Sequence, residues 1–224
     1  MPRRPRIIFS QMPHHVTQRG NYRQNVFENI NDYQKYSYLV AEYAIKYQVE
    51  IIAYCLMQNH VHFIVIPFAQ DGLARLFNTA HMRYSQYKNR QKGKKGHLWQ
   101  GRFYSSVLDG SYLLHAMRYV EQNPMRAGLV KKANEYVWSS ARQHLGLEKD
   151  SIIKTTGNEK ITQMVGAKTD WQEYLNHSDA MMEEKMRVKT KKGLVIGSEE
   201  FIAELEQKTG LYLKEKKVGR RYKN

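Results

Sequence analysis

The chain has 224 residues and carries 36 Lys and Arg against 21 Asp and Glu, a formal net charge of +15 with a pI near 9.7. A field of that sign draws in polyanions, nucleic acid first among them and a membrane surface second. At 42% hydrophobic and 12% aromatic residues it has material for a real core, which excludes wholesale disorder.

The single cysteine, Cys55, excludes an intramolecular disulfide and a cysteine-rich metal site, and its apolar setting marks it as a small core residue. No apolar run reaches membrane-spanning length, and no basic amphipathic helix is suited to lie on lipid. The basic start, Met1-Pro2-Arg3-Arg4-Pro5-Arg6, is not followed by a signal-peptide core. The expected location is the cytoplasm, at the nucleoid through DNA binding.

In chain order, residues 14–18 read as a short strand stopped by Gly20-Asn21. Tyr36, Val40, Tyr43, Ala44 and Tyr47 recur at helical spacing and predict a helix over 32–47, with Asn31 and Asp32 as the N-cap. Two apolar runs, 49–57 and 60–67, are separated only by Gln58-Asn59 and read as a hairpin covered on both faces. Leu73, Leu76, Phe77, Ala80, Tyr84 and Tyr87 form one stripe and predict a helix over 72–88, leading into a basic loop. A strand is expected at 103–108 and a helix over 111–123, ended by Pro124. This order predicts an α+β fold, an antiparallel sheet with packed helices, over 1–147. Residues 148–224 form a charged, mostly helical extension, with a helix at 198–208 closed by Gly210 and a basic tail from Lys214.

Within the second run of the hairpin stands His60-Val61-His62. Strand side chains alternate faces, so both imidazoles point the same way and are spaced to share a metal ion. Alone the motif means little. On the helix over 111–123, however, Tyr119 and Asn123 lie one turn apart on a flank outside the Leu113, Met117, Val120 stripe. The combination suggests a divalent cation, Mn²⁺ or Mg²⁺, held by His60, His62 and the Asn123 carbonyl oxygen. Tyr119 would attack a phosphodiester beside it. A tyrosine needs a positive environment or a base for this, because its reference pKa is about 10.

The residues read as a nucleic-acid surface are the arm Arg3, Arg4 and Arg6, then Arg19 and Arg23 at the first turn. The ridge Arg83, Lys88, Arg90, Lys92, Lys94 and Lys95 follows, ending in Trp99 and Arg102. The cations would neutralise phosphates and the aromatics would stack unpaired bases. His14, His15 and His97 are read as ordinary hydrogen-bonded histidines.

Four ordered blocks resemble the REP-associated tyrosine transposases of the single-tyrosine HUH transposase family. They are His14-His15-Val16-Thr17-Gln18-Arg19-Gly20-Asn21, Ala53-Tyr54-Cys55-Leu56-Met57-Gln58-Asn59-His60-Val61-His62, Trp99-Gln100-Gly101-Arg102-Phe103, and Arg118-Tyr119-Val120-Glu121-Gln122-Asn123-Pro124-Met125-Arg126-Ala127-Gly128-Leu129-Val130. The resemblance implies a ferredoxin-like HUH fold acting on single-stranded DNA, with short palindromic repeats folded as hairpins as substrate. It implies that His60 and His62 are the metal-binding pair, Tyr119 the nucleophile joined to a 5′ phosphate, and Asn123 the third ligand. Monomer and homodimer both remain open. The rival readings are a non-catalytic hairpin-binding regulator on the same fold, and a replication-initiator or relaxase-type nuclease.

Overall fold

The computed structural model describes residues 6–153 and 170–215. Four strands, β1 (His14–Arg19), β2 (Val49–Met57), β3 (His60–Pro67) and β4 (Tyr104–Val107), form one antiparallel sheet in the order β2-β3-β1-β4. Helix α1 (Ile30–Lys46) connects β1 to β2, and α2 (Gly72–Gln91) connects β3 to β4. That connectivity, β-α-β-β-α-β with the two inner strands coming first and third, is the ferredoxin-like arrangement.

The strand alternation sorts the core into two layers. Val61, Phe63 and Val65 of β3 face α1 and α2, burying Tyr36, Val40, Phe77 and Tyr84. Ile64 faces the opposite side with Leu113, Met117 and Val120. In β2 the parity changes midway: Val49 and Ile51 share the first layer with Tyr54 and Leu56, whereas Ala53, Cys55 and Met57 join the second. A break in register between Ile51 and Ala53 supplies the extra residue that such a switch requires. Each fully buried large apolar side chain contributes roughly 1.5–3 kcal/mol.

Helix α3 (Leu113–Glu121) packs on the second face, followed by the short α4 (Asn123–Arg126) and α5 (Ala141–His144). The expected single helix over 111–123 is thus two. It opens as a tight turn at Gly110–Tyr112, capped by the Asp109 carboxylate, and it divides at Gln122. Pro124 has no N–H to offer the Val120 carbonyl, and the Asn123 side-chain amide takes that place at 3.1 Å. The N-cap of α1 is Asn29, whose side chain accepts from the Asp32 amide, just ahead of the expected Asn31-Asp32.

The extension supplies α6 (Trp171–Asn176), α7 (Ala180–Lys192) and α8 (Glu199–Thr209). Trp171, Leu175, Met182 and Met186 are buried in the same layer as α3, so this segment completes the core of the second face. Trp171 donates to the buried Glu121 carboxylate, which also accepts from Ser140 and His144. Helix α7 is capped by Asp179 at its start and by the left-handed Gly193 at its end, after which Ile196 bridges Leu108 beside β4. Helix α8 ends on left-handed Gly210, as its sequence predicts. Arg3, Arg4 and residues 216–224 of the basic tail lie outside the described residues.

Candidate functional site

Pairing of β1 with β3 sets Arg19 opposite His60, Thr17 opposite His62 and His15 opposite Ile64, so all six share the face that carries α3. On that face the His60 and His62 rings stand 5.1 Å apart at 79°. Tyr119 of α3 meets His62 edge-on at 5.8 Å and His15 edge-on at 5.6 Å. The sheet and the helix therefore bring the histidine pair and the tyrosine together.

Hydrogen bonding decides which imidazole atoms remain available. His60 Nδ1 lies 2.6 Å from Asn59 Oδ1, and an amide oxygen only accepts, so Nδ1 carries the proton and Nε2 the lone pair. His62 Nδ1 lies 2.9 Å from His15 Nε2, again leaving Nε2 outward. Neither outward nitrogen has a hydrogen-bond partner among the described residues, and nor does the Tyr119 phenol oxygen. Burial, helped by Arg19, holds His60 at a pKa of about 4, and burial with neighbouring positive charge holds His62 well below the ordinary range. Both are neutral near pH 7, the form in which imidazole ligates a metal.

Asn123 lies one turn beyond Tyr119. Its amide nitrogen donates to the Tyr119 and Val120 carbonyls at 3.0 and 3.1 Å, and because both partners only accept, the nitrogen assignment is forced. The Oδ1 atom has no hydrogen-bond partner among the described residues. Two neutral nitrogens and one amide oxygen fit Mn²⁺ well and Mg²⁺ less readily, since Mg²⁺ prefers an all-oxygen shell. Among the described residues no group of three or more His, Cys, Asp or Glu is placed to hold a metal. An ion here would draw on Asn123, water or substrate phosphate as well.

Tyr119 is only 8% exposed, and burial pushes its phenol above the ordinary value. The Arg126 guanidinium, 4.4 Å over the ring, pulls the other way, while Glu183 of α7 adds to the upward push. Arg126 also donates to the Tyr119 carbonyl and pairs with Glu183 at 3.8 Å. Sequence reasoning missed Arg126 because Pro124 obscured the helical continuity. Its spacing, seven residues from Tyr119, was the available signal.

The cationic residues divide into groups. Exposed Arg19 and Arg23 lie at the end of the sheet where β3 begins with His60, and Lys94, Lys95 and Arg102 are exposed on the segment between α2 and β4. Arg83 and Arg90 face outward from the α1–α2 layer, lining a groove with Lys35, and are separated from the histidine pair by the sheet. Lys92 pairs with Glu28 at 2.6 Å. Arg6 lies against Phe103, 3.7 Å over its ring, and donates to its carbonyl.

Two expectations are corrected. Lys88 is not a surface cation: it is 2% exposed and ion-pairs with the buried Asp32 at 2.7 Å and with Glu28 at 3.1 Å. A charge so enclosed cannot reach a phosphate. Trp99 is not a stacking platform either: it is 7% exposed, packed on His81, and donates to the His81 carbonyl. The exposed aromatic at this end is Tyr22, 93% exposed. Gly20 turns the chain out of β1, and a Cβ there would stand 2.3 Å from the Gln24 carbonyl oxygen. Tyr22 and Arg23 follow with φ of 49° and 60°, a left-handed conformation costing about 1–3 kcal/mol per residue.

The sequence profile of the family described as "Transposase IS200 like" matches residues 8–123, just over half of the chain. A protein of Haemophilus influenzae assigned as a REP-associated tyrosine transposase is 25% identical over 113 residues, 46% of this chain and 64% of the relative. The chain thus matches less than two thirds of that relative's length. A solved REP-associated tyrosine transposase bound to a REP hairpin superposes with a TM-score of 0.53 at 20% identity, over 69% of this chain and 92% of that one, and shares the fold. A crystal structure assigned as a transposase from Deinococcus radiodurans gives a TM-score of 0.38 at 16% identity, over 54% and 97% of the two chains.

Proposed function

Because the chain belongs to the IS200-like transposase family, we propose that it is a metal-dependent endonuclease and strand transferase for single-stranded, hairpin-forming DNA, with Tyr119 as nucleophile. The observation that carries this reading is the edge-on approach of the Tyr119 ring to His62, with the phenol oxygen and both Nε2 atoms unspent on one face. The Tyr119 oxygen bonds to phosphorus as the bond from phosphorus to the 3′ oxygen breaks. The upstream strand leaves with a free 3′ hydroxyl, the 5′ phosphate of the downstream strand stays on the tyrosine, and the phenol proton goes to solvent as the 3′ oxygen takes one up from it. The phosphodiester energy is kept in that linkage, so rejoining needs no nucleotide cofactor.

Mn²⁺ or Mg²⁺ bound by His60, His62 and Asn123 would neutralise charge gathering on the non-bridging oxygens. Arg126, over the Tyr119 ring, favours the phenolate against the cost of burial. Arg19 stands opposite His60 at the mouth of the site, and Tyr22 offers an exposed ring to an unpaired base. Tyr119 lies beside the histidine pair of its own chain, which supports action in cis by a monomer.

The assay is direct. Labelled hairpin DNA with Mn²⁺ should give a denaturation-resistant adduct with the parent and none with Tyr119→Phe. His60→Ala with His62→Ala should abolish cleavage and spare binding. An undiminished adduct from Tyr119→Phe would refute the assignment. Hairpin binding by the parent without any adduct would favour the non-catalytic regulator.

A further inference from the structure

His62 leans on a second imidazole that in turn leans on the extension. His15 and Thr190 are each 1% exposed; His15 Nδ1 lies 2.7 Å from Thr190 Oγ1, and His15 Nε2 lies 2.9 Å from His62 Nδ1. The two rings are within 7° of coplanar, with centroids 5.1 Å apart. With the nitrogens at 2.9 Å, that separation leaves little more than the two ring radii, so the contact is an in-plane hydrogen bond and not a face-to-face stack.

We propose that Thr190 and His15 are positioning residues for the metal site, fixing His62 in the tautomer whose Nε2 lone pair faces the cation. The proposal rests on the metal-dependent reading above. A neutral imidazole carries one N–H and one lone pair, so the His15–His62 contact holds a single proton. If that proton belongs to His15, His62 bears its own on Nε2 and cannot ligate. If it belongs to His62 Nδ1, Nε2 is a ligand, and His15 must then carry its proton on Nδ1. That proton needs a buried acceptor, and Thr190 Oγ1 is the atom in place. Without the hydroxyl, the arrangement with His15 donating through Nε2 leaves no buried N–H unpaired, and His62 is driven to the tautomer that cannot bind.

The placement of Thr190 is fixed from several sides. Asp179 caps the start of α7 and pairs with Arg118 of α3 at 3.4 Å. Met182 and Met186 are buried in the core of the same face, and Gly193 closes the helix three residues after Thr190. The extension therefore contributes a side chain that bears on the site through His15.

The test uses the full chain without DNA and follows Mn²⁺ binding by the loss of the free-ion electron paramagnetic resonance signal. Thr190→Val, nearly the same shape, should weaken binding by about 10–100-fold, and Thr190→Ser should restore it. Thermal unfolding of each variant, measured in parallel, separates this from loss of the fold. A second readout is the ¹⁵N spectrum of the imidazoles with Mg²⁺, which should show His62 protonated on Nδ1. Parental affinity in Thr190→Val, failure of Thr190→Ser to rescue, or a proton on His62 Nε2 in the loaded protein would overturn the relay. Any of these with an intact Tyr119 adduct would leave the proposed function standing. Absence of Mn²⁺ binding by the parent, or its persistence in His62→Ala, would bring down the metal reading and the relay with it.

Discussion

Each face of the sheet buries a tyrosine against a histidine, and the two pairs are built to opposite ends. Between α1 and α2, Tyr36 Oη and His81 Nε2 are hydrogen-bonded at 2.9 Å, wrapped by Phe63, Phe77, Tyr84 and Trp99. Beneath α3, Tyr119 meets His62 edge to face, and neither the phenol oxygen nor the outward nitrogen has a hydrogen-bond partner among the described residues. Burial pushes both phenols up and both imidazoles down. Burial is therefore not what distinguishes the two pairs. The distinction is whether the two groups spend their hydrogen bonds on each other.

The comparison can be broken by substitutions that should separate stability from activity. The largest effect on stability is expected from Lys88→Ala on the helical face, which strands the fully buried Asp32 carboxylate. It should cost about 3–5 kcal/mol in denaturant unfolding and leave the salt dependence of DNA binding unchanged. A shallower salt slope would instead return Lys88 to the DNA surface. Tyr22→Ala should weaken binding to single-stranded flanks by about 1–3 kcal/mol and, by relieving no core contact, leave unfolding alone.

Tyr36→Phe should cost about 1–3 kcal/mol through the unpaired His81 nitrogen and still permit the covalent adduct. Tyr119→Phe should do the reverse. Equal behaviour of the two variants in both assays would erase the distinction.

The smallest effect is a pH dependence. Burial disfavours the His144 cation, but the charge of Glu121 and its hydrogen bond at 2.5 Å outweigh that, so the folded pKa lies above the ordinary value. This contribution is fully present below the unfolded pKa of about 6.5 and is lost as pH rises through the folded value. The melting temperature of the parent should therefore decline more steeply above pH 6.5 than that of His144→Gln. Parallel profiles would remove His144 from the account.

The sequence made local patterns legible and hid nonlocal ones. Alternation in β3 placed His60 and His62 on one face, and helical spacing placed Tyr119 and Asn123 on one flank, because both are short-range consequences of backbone geometry. Lys88 looked like its neighbours Arg90 and Lys92 because a run of cations carries no mark of burial; only Asp32, 56 residues away, reveals it. Trp99 was misread for the same reason, its partner His81 lying in another element. His15 was expected to be hydrogen-bonded, and it is, but the identity of its partners depends on strand register and on a helix near the far end of the chain. The break after Glu121 was concealed because Pro124 announces where helical bonding fails, not which side chain repairs it.

The bond from His15 to Thr190 joins residues 175 positions apart. At ribosomal rates of about 5–20 residues per second, roughly 9–35 s pass between the emergence of one and the other. Once Tyr119 has been made, the nascent polypeptide holds His60, His62 and Tyr119, but until Thr190 follows it lacks the hydroxyl on which His15 rests. On the proposed reading, cleavage competence waits until α7 has been made and has docked beside His15.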